Sequence, residues 1–240
     1  VPFVSYPYEW SFGQLRDAAL LTLRIQREAL DRGMSLKDAS AYNVQFVGCA
    51  PVFIDTLSFE AYREGRPWVA YRQFCQHFLA PLALMSQTDV RLGQLLRSYL
   101  DGIPLDLASR LLPWRSRMKF PLLTHVHLHA KSQARFADRP VRVSSVKVSR
   151  MSLIGLLDSL RKAIEGMHWT PAGTEWGEYY ANTNYEPDAM HHKTELVSAF
   201  LSRENPATVW DLGANTGTFS RLASARGATT VAFDIDPAAV

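Results

Sequence analysis

The feature that most constrains the fold is a strand, turn, helix and strand pattern near the C-terminus. Residues 208–212 form a short β-branched and apolar run, followed directly by a turn that begins at Gly213 and ends at Gly217. A second run of the same kind covers residues 229–233 and is followed by Asp234. Short apolar runs bounded by turn residues are typical of buried parallel strands. The pattern predicts a parallel β-α-β unit with an acid at the tip of its second strand, where α/β folds hold nucleosides.

The segment between the two runs has the features of a short helix. Thr218 can cap its first turn, and Phe219, Leu222 and Ala223 fall on one face at helical spacing. Gly227 is placed to end the helix. The connection is therefore predicted to be helical, as a parallel crossover requires.

The glycine positions decide between nucleotide-binding motifs. A dinucleotide fingerprint counted from Gly213 needs glycine at positions 215 and 218, where the chain has Asn215 and Thr218. A P-loop needs a lysine, and the turn contains none. Neither motif fits, and a doubly wound unit without a cofactor remains the alternative to a binding site.

The stretch resembles motif I of the class I S-adenosylmethionine-dependent methyltransferases, Asp-x-Gly-x-Gly-x-Gly, read here as Asp211, Gly213, Asn215 and Gly217. Asn215 replaces the middle glycine, and asparagine is the non-glycine residue that best tolerates a positive φ angle. The resemblance implies S-adenosyl-L-methionine as cofactor, with the turn against its methionine part and Asp234 bound to the ribose. Asp234 follows Asp211 by 23 residues (234 − 211), close to the spacing of about 20 in the related dinucleotide fold.

By the same resemblance, the complete methyltransferase sheet has seven strands, of which two fit before residue 240. We therefore expect the chain to be part of a longer protein that supplies the catalytic loops, and the sequence names no catalytic residue for methyl transfer. Asp236 and Pro237 pair an N-cap with proline at the first helical position, so Asp236 is predicted to be structural.

Composition limits the class of protein. The 240 residues are 47% hydrophobic and 20% charged, which is typical of one large or two ordinary globular domains. No apolar run approaches the roughly 20 residues that cross a membrane. Two cysteines without ligand-type spacing favour a reduced, cytoplasmic protein. A net charge of +3 does not indicate a nucleic-acid partner.

The N-terminal part contains a second recognisable order of elements. A long helix precedes Asp38 and Asn43, which stand in an Asp-x-x-x-x-Asn arrangement; a hairpin predicted over residues 44–47 and 52–54 follows, and then Asp55. The order resembles the catalytic loop of the protein-kinase and aminoglycoside-phosphotransferase fold. The resemblance implies Asp38 as the base and Asn43 and Asp55 as magnesium ligands. The histidine or arginine that usually precedes this aspartate is absent. The structural alternative is that Asp38 is a turn residue, Asn43 fixes a loop and Asp55 ends a strand.

Three histidines, His125, His127 and His129, alternate with other residues. On a strand they would share a face and could bind zinc, whereas on a helix only His125 and His129 align. No carboxylate or cysteine lies nearby in the sequence, so we expect surface or capping histidines and no metal site.

The sequence therefore predicts an α/β protein in three parts. Residues 1–130 form a helical domain, possibly a protein-kinase-like C-lobe, with an aromatic stripe from Trp68 to Leu79 in its core. Residues 131–150 form a basic linker, and residues 151–240 begin a Rossmann-like methyltransferase domain. Before the first strand of that domain, Tyr180, Tyr185 and Lys193 are candidate pocket residues.

The expected activity is methyl transfer from S-adenosyl-L-methionine to an unidentified O or N acceptor. One alternative is a kinase-like phosphotransferase or pseudokinase fused to a cofactor-binding Rossmann domain. Another is a helical interaction domain without enzymatic activity, fused to the methyltransferase.

Overall fold

A computed structural model describes residues 1–130, 147–171 and 187–239 of the chain. The chain divides into two compact units, Phe3–Trp169 and Thr170–Val240. Both helices and small sheets are present, which agrees with the predicted mixture of α and β structure.

The first unit is mostly helical. Its elements are α1 (Phe12–Asp31), β1 (Met34–Leu36), β2 (Val44–Val47), β3 (Ala50–Phe53), β4 (Phe59–Ala61), α2 (71–87), α3 (Leu95–Ser98), α4 (Leu105–Leu111), α5 (120–130) and α6 (Arg150–Glu165). Short 3-10 helices lie at Pro7–Glu9, Ala41–Asn43, Thr56–Ser58, Val90–Gln94 and Trp114–Met118. Two helices contain π turns, α2 at Cys75–Leu79 and α5 at Leu123–Leu128. The strands form two antiparallel pairs, β1 with β4 and β2 with β3.

Helix α1 begins and ends where its capping residues predict. The Gln14 N–H donates to Ser11 Oγ (3.3 Å), and the Ser11 N–H donates to Gln14 Oε1 (2.9 Å), which completes the capping box. Gly33, with a φ of 71°, follows the helix, as expected for a residue that ends it.

The core of the first unit is built from α1, α2 and α6. Phe74 and Phe78 of the predicted aromatic stripe are fully buried, so the stripe is core, as predicted. Trp68 lies before α2 and donates its indole N–H to the Leu36 carbonyl (2.8 Å), which joins the segment before α2 to β1. The predicted hairpin is present, and Gly48 at its tip has a φ of 59°.

The boundary between the units lies later than the sequence indicated. Residues 131–146 of the predicted linker lie outside the described residues. From Lys147 onward the chain is attached to the first unit: the Val148 N–H donates to the Gly65 carbonyl (3.1 Å), and Arg150 pairs with Asp31. Helix α6, assigned from sequence to the domain 151–240, packs against α1 instead, because its apolar face completes the core of the first unit.

The second unit contains α7 (Pro187–Glu204), β5 (Thr208–Leu212), α8 (Thr218–Ser224) and β6 (Thr229–Phe233). β5 and β6 are parallel, with Thr208 opposite Thr229 and Leu212 opposite Phe233. The predicted β-α-β unit is therefore present with the predicted strand bounds. Its strands are not buried as expected, since Trp210 and Leu212 are 62% and 76% exposed. Both side chains lie on one face of β5, and the Trp210 ring contacts the Phe233 ring of β6 edge to face, with 6.2 Å between the centroids.

The start of α8 differs from the prediction. Gly217, with a φ of 75°, occupies the N-cap position without a side-chain hydrogen bond, and Thr218 is the first helical residue. The turn joins the helix through Gly217 in the left-handed conformation, which glycine adopts readily. The Gly227 N–H donates to the Ser224 carbonyl (3.0 Å) and Gly227 has a φ of 86°, in agreement with its predicted role. In the described parts of the chain, no helix is both long and apolar enough to cross a membrane.

Candidate functional site

The turn after β5 has three residues in the left-handed region of backbone conformation. Gly213 and Gly217 both have φ values of 75°, and Asn215 has a φ of 49°. The middle position therefore has the conformation for which asparagine is the least costly non-glycine residue. Asn215 therefore occupies the middle of the turn in a backbone conformation that asparagine tolerates.

Backbone groups of the turn bind to the end of β6. The N–H groups of Gly213 and Ala214 both donate to the Phe233 carbonyl (2.9 Å each). The Asn215 N–H donates to Oδ2 of Asp234 (2.7 Å). The two strand tips are thus joined by three hydrogen bonds, and the Asp234 carboxylate fixes the middle of the turn.

Asp234 also orders the chain that follows it. Its Oδ1 accepts the N–H of Asp236 (2.8 Å), and Asp236 in turn accepts the Ala238 N–H (2.9 Å) and is 5% exposed. Asp236 therefore has a structural role, as predicted, although it caps a turn and not the predicted helix within the described residues. Each carboxylate oxygen can accept about two hydrogen bonds, so both oxygens of Asp234 retain capacity for a ligand.

Asp211 is positioned by a residue that sequence reasoning missed. The buried Ser220 donates its hydroxyl to Asp211 Oδ2 (2.6 Å), which connects the end of β5 to the first turn of α8. The sequence signal that could have identified Ser220 is a hydroxyl residue in the first helical turn after the glycine motif, on the buried side of the helix.

These residues surround a cavity of about 660 Å3 within the second unit. Asp211, Gly213, Asn215 and Asp234 line it, whereas Gly217 is not among its lining residues and acts at the helix start. A Cβ at Gly213 would meet nothing within 4 Å, so space is open beside this residue. The volume is typical of small-molecule sites, which measure about 300–1,000 Å3.

The rest of the cavity wall is mainly apolar and includes one ammonium group. Val197 and Leu201 of α7 and Phe219 of α8 supply the apolar surface. Lys193, a candidate from the sequence, also lines the cavity, and its Nζ lies 4.7 Å from the centroid of the Phe219 ring. The other two candidates before β5, Tyr180 and Tyr185, lie outside the described residues.

Two of the three residues predicted from the kinase resemblance, Asn43 and Asp55, are connected through Ser58 in the first unit. Asn43 Nδ2 donates to Ser58 Oγ (3.0 Å), and Ser58 donates its hydroxyl to Asp55 Oδ2 (2.6 Å). Hydrogen bonds from Ser58 and from the Leu57 backbone lower the pKa of Asp55. Asp38 accepts the Ser40 N–H (2.9 Å) and lines a cavity together with Asn43, but Asp55 does not line that cavity.

The histidines of residues 125–129 are internal connectors. His125 is 3% exposed and bonds to the Tyr71 hydroxyl (2.7 Å) and to Ser159 Oγ (2.9 Å). His129 stacks on the same Tyr71 ring at 5.2 Å, so His125 and His129 share a helical face, as the helical interpretation predicted. Burial, and secondarily His129, lowers the pKa of His125 to about 4.

His127 has the same kind of environment on another side of α5. It is 7% exposed, and its ring nitrogens lie 2.7 Å from Ser109 Oγ and 2.9 Å from Ser116 Oγ. The expectation of surface or capping histidines was therefore wrong for His125 and His127, since both tie α5 to neighbouring elements. Within the three described ranges, no group of three or more His, Cys, Asp or Glu side chains could hold a metal ion.

One known protein is similar to almost the whole chain. Nodulation protein NoeA of Rhizobium meliloti (strain 1021) is 38% identical over 244 residues, which cover 99% of this chain and 51% of that protein. The chain thus spans about half the length of this curated relative. No protein-family model matches the sequence, and no solved structure matches the chain.

Proposed function

We propose that the second unit binds S-adenosyl-L-methionine in the cavity at the glycine turn, as part of a class I methyltransferase with a Rossmann-like sheet. The observation that supports this proposal is the position of Asp234. Its carboxylate lies at the tip of β6, bonds to the turn at the tip of β5, and lines the same cavity as that turn. A carboxylate and a glycine turn at neighbouring parallel strand tips are the arrangement that holds a ribose in related folds.

The lining residues suit the parts of this cofactor. The two oxygens of Asp234 can each accept a ribose hydroxyl in addition to their backbone donors. Gly213 leaves space for the methionine part, and Val197, Leu201 and Phe219 offer an apolar surface to the adenine. The cofactor would supply an electrophilic methyl group, and the protein would hold an O or N acceptor in line with it, so catalysis would depend on positioning.

The relative gives no reaction with which to compare this proposal. Its name refers to nodulation, a process, and it is about twice as long as the chain. Methyl transfer by the whole protein, its acceptor and a cytoplasmic location are parts of the same proposal.

Isothermal titration calorimetry with S-adenosyl-L-methionine tests the cofactor site. We expect saturable binding that weakens at least about tenfold, or 1.4 kcal/mol, in Asp234→Asn, which removes the charge and keeps one acceptor oxygen. Asp188→Asn, an exposed aspartate in the first turn of α7, is the matched control and should bind like the parent. The amide resonance of Asn215 reports whether the turn is intact in each variant. Absence of binding by the parent protein, or equal binding by the two variants with an intact turn, contradicts the proposal.

Phosphoryl transfer by the first unit is the second candidate. The observation that favours it is the hydrogen-bonded chain from Asn43 through Ser58 to Asp55, which brings the two residues predicted as magnesium ligands into one polar cluster. Calorimetry with Mg-ATP provides the test: binding that is lost in Asp55→Ala supports a phosphotransferase or pseudokinase. If Mg-ATP gives no heat, this candidate fails and the methyltransferase proposal is unaffected.

A further inference from the structure

The segment that connects α4 to α5 in the first unit has an exposed surface that neither proposed reaction uses. Trp114, Met118 and Phe120 are 72%, 70% and 72% exposed, and all three lie within residues 114–120. Single exposed apolar side chains are common, but a concentration of large ones marks a site of interaction. The segment therefore calls for a partner that covers it.

Basic side chains are interspersed among these apolar ones. Arg115, Arg117 and Lys119 are all exposed, and the sequence has no aspartate or glutamate in residues 107–137. Within the described parts of the chain, none of the three forms an ion pair, and Lys119 Nζ donates to the neutral Gln87 Oε1 (2.9 Å). The surface therefore carries three positive charges that no described acid neutralises.

Ser116 anchors this segment to the body of the first unit. It lies at the centre of the 3-10 helix Trp114–Met118 and is fully buried. Its hydroxyl donates to the Pro113 carbonyl (2.6 Å) and lies 2.9 Å from Nε2 of His127 on α5. The helix is thus fixed before a partner binds, so less binding energy is lost to ordering of the surface.

The geometry of the 3-10 helix combines charge with apolar surface. Three residues per turn place side chains that are three positions apart on the same side of the helix. Because Ser116 is turned inward, Trp114 and Arg117 share one outward side, and Arg115 and Met118 share the other. Each outward side therefore presents one large apolar side chain together with one guanidinium group.

An anionic bilayer complements such a surface. Tryptophan is enriched at the boundary between headgroups and acyl chains. A basic side chain near an anionic leaflet increases the affinity about fivefold, which corresponds to about 1 kcal/mol. A nucleic acid would also attract the arginines, but single strands bind by stacking their bases on aromatic rings, and Met118 has no ring. The apolar side chains therefore favour a lipid surface.

We propose that the first unit binds anionic phospholipid membranes through a basic–apolar surface formed by Trp114, Arg115, Arg117, Met118, Lys119 and Phe120. The three apolar side chains enter the boundary between headgroups and acyl chains, and the basic side chains contact the lipid phosphates. Binding of this kind places the protein on the membrane and needs no spanning helix. The proposal does not depend on S-adenosyl-L-methionine or ATP binding.

Cosedimentation with vesicles of equal parts phosphatidylcholine and phosphatidylserine tests this inference, with pure phosphatidylcholine vesicles as the neutral comparison. We expect binding to the anionic vesicles alone, weakened at least about tenfold in Trp114→Ala and in the double variant Arg115→Gln, Arg117→Gln. These side chains are exposed, so the variants should fold. Leu57→Ala and Arg24→Gln, at an exposed leucine and an exposed arginine elsewhere in the first unit, are the matched controls and should bind like the parent.

Fluorescence quenching identifies the side chain that enters the bilayer. Anionic vesicles with brominated acyl chains should quench the tryptophan fluorescence of the parent more strongly than that of Trp114→Phe, which keeps an aromatic ring at this position. The inference is overturned if the anionic vesicles do not bind, if the neutral vesicles bind equally well, if either surface variant binds like the parent, or if quenching is the same in Trp114→Phe.

Two other occupants of the surface are distinguished by separate measurements. Polyuridylate that displaces the protein from the anionic vesicles at equal phosphate concentration would identify a nucleic-acid surface. Self-association of the parent in analytical ultracentrifugation that is lost in Trp114→Ala would identify an interface between two copies of the chain. Either result overturns the inference.

Discussion

Acid should destabilise the first unit through two buried imidazoles. The pKa of His77 and that of His125 are each lowered from 6.5 to about 4, in both cases mainly by burial. The unfolded chain therefore binds more protons than the folded chain between about pH 6.5 and pH 4. By linkage, stability is complete above pH 6.5, decreases as the pH falls through this window, and levels off below pH 4.

The size of the effect follows from the two pKa values. For a base with a pKa of 6.5 when unfolded and about 4 when folded, linkage predicts a loss of about 2 kcal/mol at pH 5 relative to pH 7. Two such groups together give about 4 kcal/mol, a large share of the roughly 5–15 kcal/mol typical of a folded domain. His125 hydrogen-bonds to Tyr71 and Ser159, and His129 is close enough to oppose its charged form; none of the three is a carboxylate that could stabilise that form.

Urea denaturation at pH 7 and pH 5 measures this loss, with the tryptophan fluorescence, to which the buried Trp10 and Trp68 of the first unit contribute, as the signal. In His125→Gln the difference between the two pH values should shrink by about 2 kcal/mol, because glutamine does not titrate. His191→Gln, at an exposed histidine of α7, is the control and should not change the difference. The reasoning is refuted if His125→Gln and the parent lose equal stability on acidification, or if NMR titration gives His125 a pKa near 6.5.

Three further changes have defined outcomes. Phe78→Ala removes a fully buried ring and should lower the free energy of unfolding by about 3–5 kcal/mol in urea denaturation. Gly102→Ala places a Cβ 2.8 Å from the Gln76 backbone at a φ of 87°, so the same assay should show a loss of at least about 1 kcal/mol. If the second unit binds S-adenosyl-L-methionine, Lys193→Met should weaken that binding by about 1 kcal/mol through loss of an ion pair with the ligand carboxylate. Arg203→Met, which removes another cation stacked on a phenylalanine of α7, should not alter the calorimetric affinity.

Local signals in the sequence were sufficient for the elements around the glycine turn. The bounds of β5 and β6 follow from two apolar runs and the residues that interrupt them, and both agree with the structure. The positive φ of Asn215 follows from the need for a left-handed residue between two glycines. These features depend on neighbours in the chain, and a sequence displays such neighbours directly.

Burial and long-range partners could not be obtained in the same way. Trp210 is apolar and lies in a strand, but its exposure depends on what packs over β5. The partners of His125, Tyr71 and Ser159, are 54 and 34 residues away in the chain. The burial of His77 in a π turn was not predicted, because a single histidine in an apolar helix has no spacing to interpret. Pro81, four residues later, is the sequence feature that marks this irregular turn.

The glycine turn shows how one side chain can have a structural and a binding role together. Asp234 accepts the backbone N–H groups of Asn215 and Asp236, so its carboxylate is already oriented before any ligand is present. A ligand hydroxyl would meet a fixed acceptor and would lose less binding energy to ordering of the site. The same contacts mean that removal of the carboxylate disturbs the turn as well as the ligand contact. The isosteric Asp234→Asn variant, examined with the Asn215 amide signal, is therefore the change that separates these two roles.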